Sequence, residues 1–187
     1  MPKEIKDAAV KKAVLKAVHV KDGWAAQEPS PDGRLKLVFF GQMDVSQGHG
    51  IWRSRFAILD DKNHGVREFG WRVAAENDPC AWSPDSVHAA VALSNGIVFW
   101  RKGKFAAVRV LSWGKGAKLA WKDEKTLLVS GYEYVKVRRG GADSGGEKIG
   151  KAEIGLEQVE FYHEDRLGTI EYLLNRQPIL TPELFED

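Results

Sequence analysis

The chain has 187 residues, 28 of them Lys or Arg against 26 Asp or Glu, and a formal net charge of +2. That length buries a core without covalent staples, and its one cysteine, Cys80, excludes an intramolecular disulfide. Lys3, Lys6, Lys11, Lys12 and Lys16 interrupt the start of the chain and no later window approaches a membrane span, so the expectation is a soluble, cytoplasmic protein with no membrane contact.

The near-neutral total hides an asymmetry. Residues 101–151 hold 13 Lys or Arg against 5 Asp or Glu, whereas residues 152–187 hold 2 against 9. Such segments neutralise each other across a fold, stay solvated, or meet a charged partner.

Residues 3–20 place Ile5, Ala8, Ala9, Val14, Leu15 and Val18 near a 3.6-residue spacing with lysines between them, which predicts an amphipathic helix ended by Asp22-Gly23. Its apolar face is expected to dock on the chain's own domain. From Trp24 the pattern switches to strands. Leu35 to Phe40 and Ile51 to Leu59 read as two, and Asp60-Asp61-Lys62-Asn63-His64-Gly65 as a turn into a third. Val87 to Leu93, Ile97 to Trp100 and Phe105 to Leu111 form a meander around Ser94-Asn95-Gly96 and Arg101 to Lys104. Leu119 to Trp121, Thr126 to Ser130 and Tyr132 to Val137 follow. Residues 138–151, with five glycines and almost no apolar residue, predict a flexible loop. Glu157 to Tyr162 and Thr169 to Leu174 predict a closing hairpin, and Thr181-Pro182-Glu183-Leu184 the start of a short helix.

One phrase recurs along the chain: Ser30-Pro31-Asp32-Gly33, then Ala81-Trp82-Ser83-Pro84-Asp85-Ser86, then Ala120-Trp121-Lys122-Asp123-Glu124-Lys125. Each copy reads as a turn feeding a strand, and internal repetition of this kind marks an array of small sheets. The stretch from Ala81 through Ser94-Asn95-Gly96-Ile97-Val98-Phe99-Trp100 resembles a WD40 or TolB-type β-propeller blade, departing from it at Arg101, where WD40 blades carry Asp. The resemblance implies antiparallel meander sheets packed in series. The phrases begin 53 and 39 residues apart, at Ser30, Ser83 and Lys122, against a blade repeat of about 40–45 residues. A closed propeller needs at least about four blades, more than this chain holds. The fold expectation is therefore mainly β, a single domain over 1–187 forming a partial propeller-like array with repeated units near 24–80, 81–118 and 119–174, its edges covered by the helix or by another chain. A β-sandwich is the alternative architecture. The seven tryptophans, all before residue 122, suit gaps between packed sheets.

No string matches a strong catalytic or cofactor motif. Gly145 to Ala152 fits G-x-x-x-x-G-K but puts Ala152 where a magnesium-binding hydroxyl belongs. Ala142-Asp143-Ser144-Gly145-Gly146 resembles the nucleophile loop of chymotrypsin-like proteases, which makes Ser144 with His49 or His64 the hydrolase alternative. Ser112-Trp113-Gly114-Lys115 has an S-x-x-K spacing inside a glycine turn rather than at a helix start. The five histidines pair neither with each other nor with Cys80 at zinc-ligand spacing, so no metal and no cofactor is expected. Lys136, Arg138, Arg139, Lys148 and Lys151, with Tyr132 and Tyr134 to stack bases, are the residues of a nucleic-acid alternative, made less favoured by the near-neutral total charge.

The leading expectation is a non-enzymatic protein-binding module. Its contact residues are taken as Trp52, Arg53, Arg55, Trp100 and Arg101 together with the acidic Glu153, Glu157, Glu160, Glu164, Asp165 and Glu171. An immunity protein that neutralises a bacterial toxin is the narrower form of that expectation, by analogy alone. Self-association through sheet edges is a further expectation.

Overall fold

Ser30 and Ser83 build the same turn, 53 residues apart. In the computed structural model, which describes residues 2–44, 51–69, 80–93, 96–110, 118–130, 133–138, 141–148, 151–163 and 179–180, the Gly33 N–H donates to the Ser30 carbonyl and the Ser86 N–H to the Ser83 carbonyl, both at 2.9 Å. The Ser30 N–H donates to the Leu35 carbonyl at 2.8 Å while the Leu35 N–H returns to Ser30 Oγ at 3.1 Å. Ser83 repeats this with His88, at 2.9 Å in both directions. Asp32 and Asp85 then accept the serine hydroxyl, at 2.7 and 2.5 Å. Each serine is buried, 3 % and 0 % exposed, because its oxygen substitutes for a backbone acceptor inside the turn. In the third copy Lys122 replaces the serine, and Asp123 caps the turn by accepting the Lys125 and Thr126 N–H groups at 2.8 Å.

The chain is mainly β and divides into two compact units, Met1–Val73 and Ala74–Asp187. In the first, β1 (Lys3–Glu4), β2 (Trp24–Pro29), β3 (Leu35–Asp44), β4 (Ile51–Asp60) and β5 (Gly65–Phe69) form an antiparallel sheet in chain order. Helix α1 (Ala8–Ala17) begins at Asp7, whose carboxylate accepts the Val10 N–H at 2.9 Å. It ends at His19 in the left-handed region, φ 55°. There the Val20 N–H reaches the Leu15 carbonyl at 2.8 Å and the His19 N–H reaches Lys16 at 3.1 Å, the double bond of a Schellman cap. Ile5, Val14, Leu15, Val18 and Val20 share a core with Ala25, Val38, Phe40, Ala57 and Leu59 of the sheet. On the other face Phe39 stands opposite Phe56 with ring centres 6.3 Å apart. From Leu37 to Phe40 and from Phe56 to Leu59 both faces are buried, so these stretches read as continuous apolar runs.

In the second unit, β6 (Cys80–Trp82), β7 (His88–Leu93), β8 (Gly96–Arg101) and β9 (Lys104–Val110) form an antiparallel meander. A three-stranded sheet follows from β10 (Lys118–Trp121), β11 (Thr126–Ser130) and β14 (Lys151–Gly155). Between β11 and β14 the chain runs out and back as β12 (Glu133–Arg138) and β13 (Gly141–Lys148). On β9's remaining edge sit β15 (Tyr162–His163), antiparallel, and β16 (Ile179–Leu180), parallel. The meander and the three-stranded sheet share one core. Ala90, Phe99 and Ala106 stand in register across β7, β8 and β9, so the Phe99 ring fits between two methyl groups and meets the layer of Leu119, Leu127, Val129, Ala152 and Ile154. Alternating large and small side chains lets two layers interdigitate at native density.

Several expectations are corrected here. The segment 138–151 is not a loop: most of it is paired strand, because the partner strand supplies hydrogen bonds that glycine-rich composition does not reveal. The helix covers Ala8–Ala17 rather than 3–20, since residues 3–4 pair with β2 and the Schellman cap stops the helix before Asp22. Helix α1 and the first repeat share one core, while the second and third repeats share another. Leu156–Gln158 is a short 3-10 turn, not a strand of a closing hairpin. Residues 169–174 and 181–184 lie outside the described residues.

Candidate functional site

The second unit carries a two-stranded sheet beside its three-stranded one. Thr126 to Ser130 pair with Gly155 back to Lys151, and the last pair is Ser130 opposite Lys151. Three residues further along each strand, Glu133 stands opposite Lys148, followed by Tyr134 opposite Glu147 and Val135 opposite Gly146. The two pairings therefore share one register offset, and β12–β13 form a two-stranded antiparallel ribbon of their own. Its first strand, Glu133–Arg138, extends about 20 Å at the usual rise per residue. Between Val135 and Val137 the register shifts, two steps on β12 against four on β13, so that Asp143, Ser144 and Gly145 bulge opposite Lys136. Bulges bend and twist a ribbon and re-aim its tip. Among the described residues no third strand pairs with β12 or β13.

This ribbon collects the basic candidates. Lys136 and Arg138 lie on β12, Lys148 on β13 and Lys151 at the start of β14, while Tyr134 precedes Lys136 by two positions. Tyr132 and Arg139 lie outside the described residues. Ser144 falls in the bulge, within an extended strand rather than in the tight turn that presents an oxyanion hole. His64 belongs to the β4–β5 turn of the other unit, with its Nδ1 3.0 Å from Asp60 Oδ2; His49 lies outside the described residues. Asp60 also accepts the His64 and Lys62 N–H groups at 2.7 and 2.9 Å. The His64 N–H first, and then its ring and Lys62, hold the Asp60 carboxyl below its usual range. The glycine string from Gly145 to Ala152 is divided between β13 and β14, with no helix after it among the described residues, so it lacks the surroundings of a phosphate loop.

The proposed protein contacts scatter. Trp100 is 4 % exposed and packs edge-on against Trp82, ring centres 6.2 Å apart, so it is a core residue and is corrected out of any contact surface. Trp52 and Arg53 lie on β4 opposite Met43 and Gln42, and Arg55 is half-buried opposite Phe40. Glu153 is exposed and bonds Lys122 at 2.8 and 3.0 Å, a pairing that raises the lysine's pKa. Glu160 accepts the Tyr162 hydroxyl at 2.7 Å, and Glu157 is exposed. Glu164, Asp165 and Glu171 lie outside the described residues.

Arg101 belongs instead to a cluster that sequence reasoning missed, at the rim where the two sheets of the second unit meet. Its guanidinium lies 4.6 Å from the centre of the Phe161 ring. His88 stands opposite Arg101 across β7 and β8, on the face that carries Ala90 and Phe99. The His88 ring lies 6.0 Å from both Trp121 and Phe161. Trp121 is tied across the sheets, its Nε1–H donating to the Ala81 carbonyl at 3.1 Å. Burial first, with Arg101 adding to it and Asp85 opposing, holds the His88 pKa below its usual value. The alternation of 88, 90 and 92 was the available signal for His88 facing the core; its ring partners come from distant strands and leave none.

Among the described residues no group of three or more His, Cys, Asp or Glu side chains is placed to hold a metal ion, and no helix is long and apolar enough to cross a membrane. No family model, curated protein or solved structure matches this chain.

Proposed function

We propose that this chain is a non-enzymatic binding module that engages a protein partner through the β12–β13 ribbon. The observation that carries the reading is the shared register offset of Ser130–Lys151 and Glu133–Lys148: a separate strand pair, β12–β13, follows the three-stranded sheet. An extended pair offers backbone donors and acceptors along its edges, to which a partner strand adds. The glycines of β13 allow close backbone approach. Lys136 and Arg138 on β12 favour a partner surface of opposite sign and give the encounter a salt dependence. Neutralisation of a toxin in the cytoplasm is the narrower form of the proposal. The propeller-like array belongs to it too, supported by the serine turn that joins the first two strands of each four-stranded run, β2–β5 and β6–β9, and by the shared core of the second and third repeats.

The direct opposition of Ser130 and Lys151 supplies the test, since an Asn-Gly pair closes such a hairpin. A variant with residues 131–150 replaced by Asn-Gly keeps the three-stranded sheet and loses the ribbon. The intact chain is expected to form a stoichiometric complex with the product of the adjacent gene, measured by light scattering, and the shortened variant to bind at least tenfold more weakly. Equal binding by both removes the ribbon from the reading. Ribbon-dependent binding of duplex or single-stranded oligonucleotide that weakens steeply with salt, in place of any protein complex, replaces it with nucleic-acid recognition.

A further inference from the structure

We propose that His88 is a proton-operated latch: when its imidazole takes up a proton, Phe161 and the β15 strand leave the edge of β9. This goes beyond the binding reading and does not depend on it.

His88 is 8 % exposed, and neither ring nitrogen has a hydrogen-bond partner among the described residues. Its surroundings are the Trp121 and Phe161 rings, each 6.0 Å away. A neutral imidazole is tolerable there. An imidazolium is a desolvated cation with two unbonded N–H groups, and it has the Arg101 guanidinium as a neighbour. The face of Trp121 and the Asp85 carboxylate attract it. Burial outweighs Asp85, however, and the pKa is lowered. Of the other charges on the packed elements, Lys122 beside Trp121 is paired with Glu153, and Glu160 beside Phe161 takes the Tyr162 hydroxyl.

The shortest strand beside the cluster is β15 (Tyr162–His163). Trp121 is bonded to Ala81 and packs against the shared core, and Arg101 ends a strand paired on both sides. Val159 is 7 % exposed and anchored in that core. Among the described residues just beyond Val159, Phe161 is half-buried against that core and β15 adds two pairs to the β9 edge, Tyr162 opposite Phe105 and His163 opposite Lys104. Swinging this segment out gives the imidazolium water and uncovers the β9 edge, a strand edge competent to pair with another chain. A histidine whose closed-state pKa is depressed binds its proton more tightly in the open state. The latch is therefore fully closed above the ordinary histidine pKa of 6.5 and weakens as pH falls below it.

The test is residue-resolved amide exchange, corrected for the intrinsic pH dependence, with the His88 ring titrated in parallel between pH 7.5 and 5.0. The amides of residues 104–105 and 162–163 are expected to lose at least tenfold protection with the His88 midpoint, while β11 and β14 keep theirs. His88→Phe, an apolar ring, is expected to keep the protection of residues 104–105 and 162–163 constant with pH. Asp85→Asn, which retains an acceptor for Ser83, is expected to move the midpoint to lower pH and provides a second variant if His88→Phe does not fold. Unchanged protection at residues 104–105 and 162–163 across the His88 titration overturns the proposal. So does an equal loss in His88→Phe, or an equal loss in β11 and β14.

Discussion

The Trp121 indole N–H donates to the Ala81 carbonyl at 3.1 Å, joining the second and third copies of the repeated phrase 40 residues apart. The same ring meets Phe99 edge-on, ring centres 6.3 Å apart, over the core shared by the two sheets. Trp121→Phe keeps an aromatic ring and leaves the carbonyl without that donor, for an expected loss of about 1–2 kcal/mol. Trp121→Ala removes the packing as well and is expected to cost about 3–5 kcal/mol. Urea denaturation of the full chain measures both, and equal losses for the two variants would sink the assignment of a separate hydrogen-bond contribution.

The two serine turns differ at one position with a left-handed backbone. Gly33 holds φ 72° and Ser86 holds φ 63°. A β-carbon at Gly33 meets no heavy atom within 4 Å, so only the backbone penalty opposes Gly33→Ala, which is expected to destabilise by about 1 kcal/mol. Ser86→Gly relieves the same penalty and is expected to shift the denaturation midpoint the opposite way.

His19 sits where Schellman caps favour glycine, at φ 55°. His19→Gly is expected to raise stability by up to about 1 kcal/mol with no change in the helix core of Val14 and Leu15. A thermal midpoint below that of the parent chain would contradict the cap.

Asp60 is held ionised below its ordinary range by the His64 N–H first, then by the His64 ring and Lys62. A carboxylate with a depressed folded-state pKa stabilises the fold above its ordinary value of 3.8 and loses that contribution as pH falls through the folded value. Asp60→Asn keeps an acceptor but no charge. Its stability is expected to depend less on pH below about 4 than that of the parent chain; parallel curves over that range would show that Asp60 is not the group responsible.

Where local chemistry decides, the structure is legible in the residues. The Ser-Pro-Asp turns, the meander from His88 to Val110 and the hairpin after Trp121 follow from turn residues and alternation. Position 100 shows the boundary of that reasoning: an exposed-looking Trp at a strand end is packed against Trp82, because the neighbouring strand alone determines what covers it.

The sequence by itself determined a mainly β chain with a repeated serine turn and an N-terminal helix, because caps, turns and apolar period act within a few residues. Only the tertiary structure decided that residues 138–151 are largely strand, since glycine disfavours a strand locally and the hydrogen bonds come from pairing with β12. Only it placed His88 between Trp121 and Phe161, residues 33 and 73 positions away, where burial rather than any nearby residue sets the imidazole's chemistry.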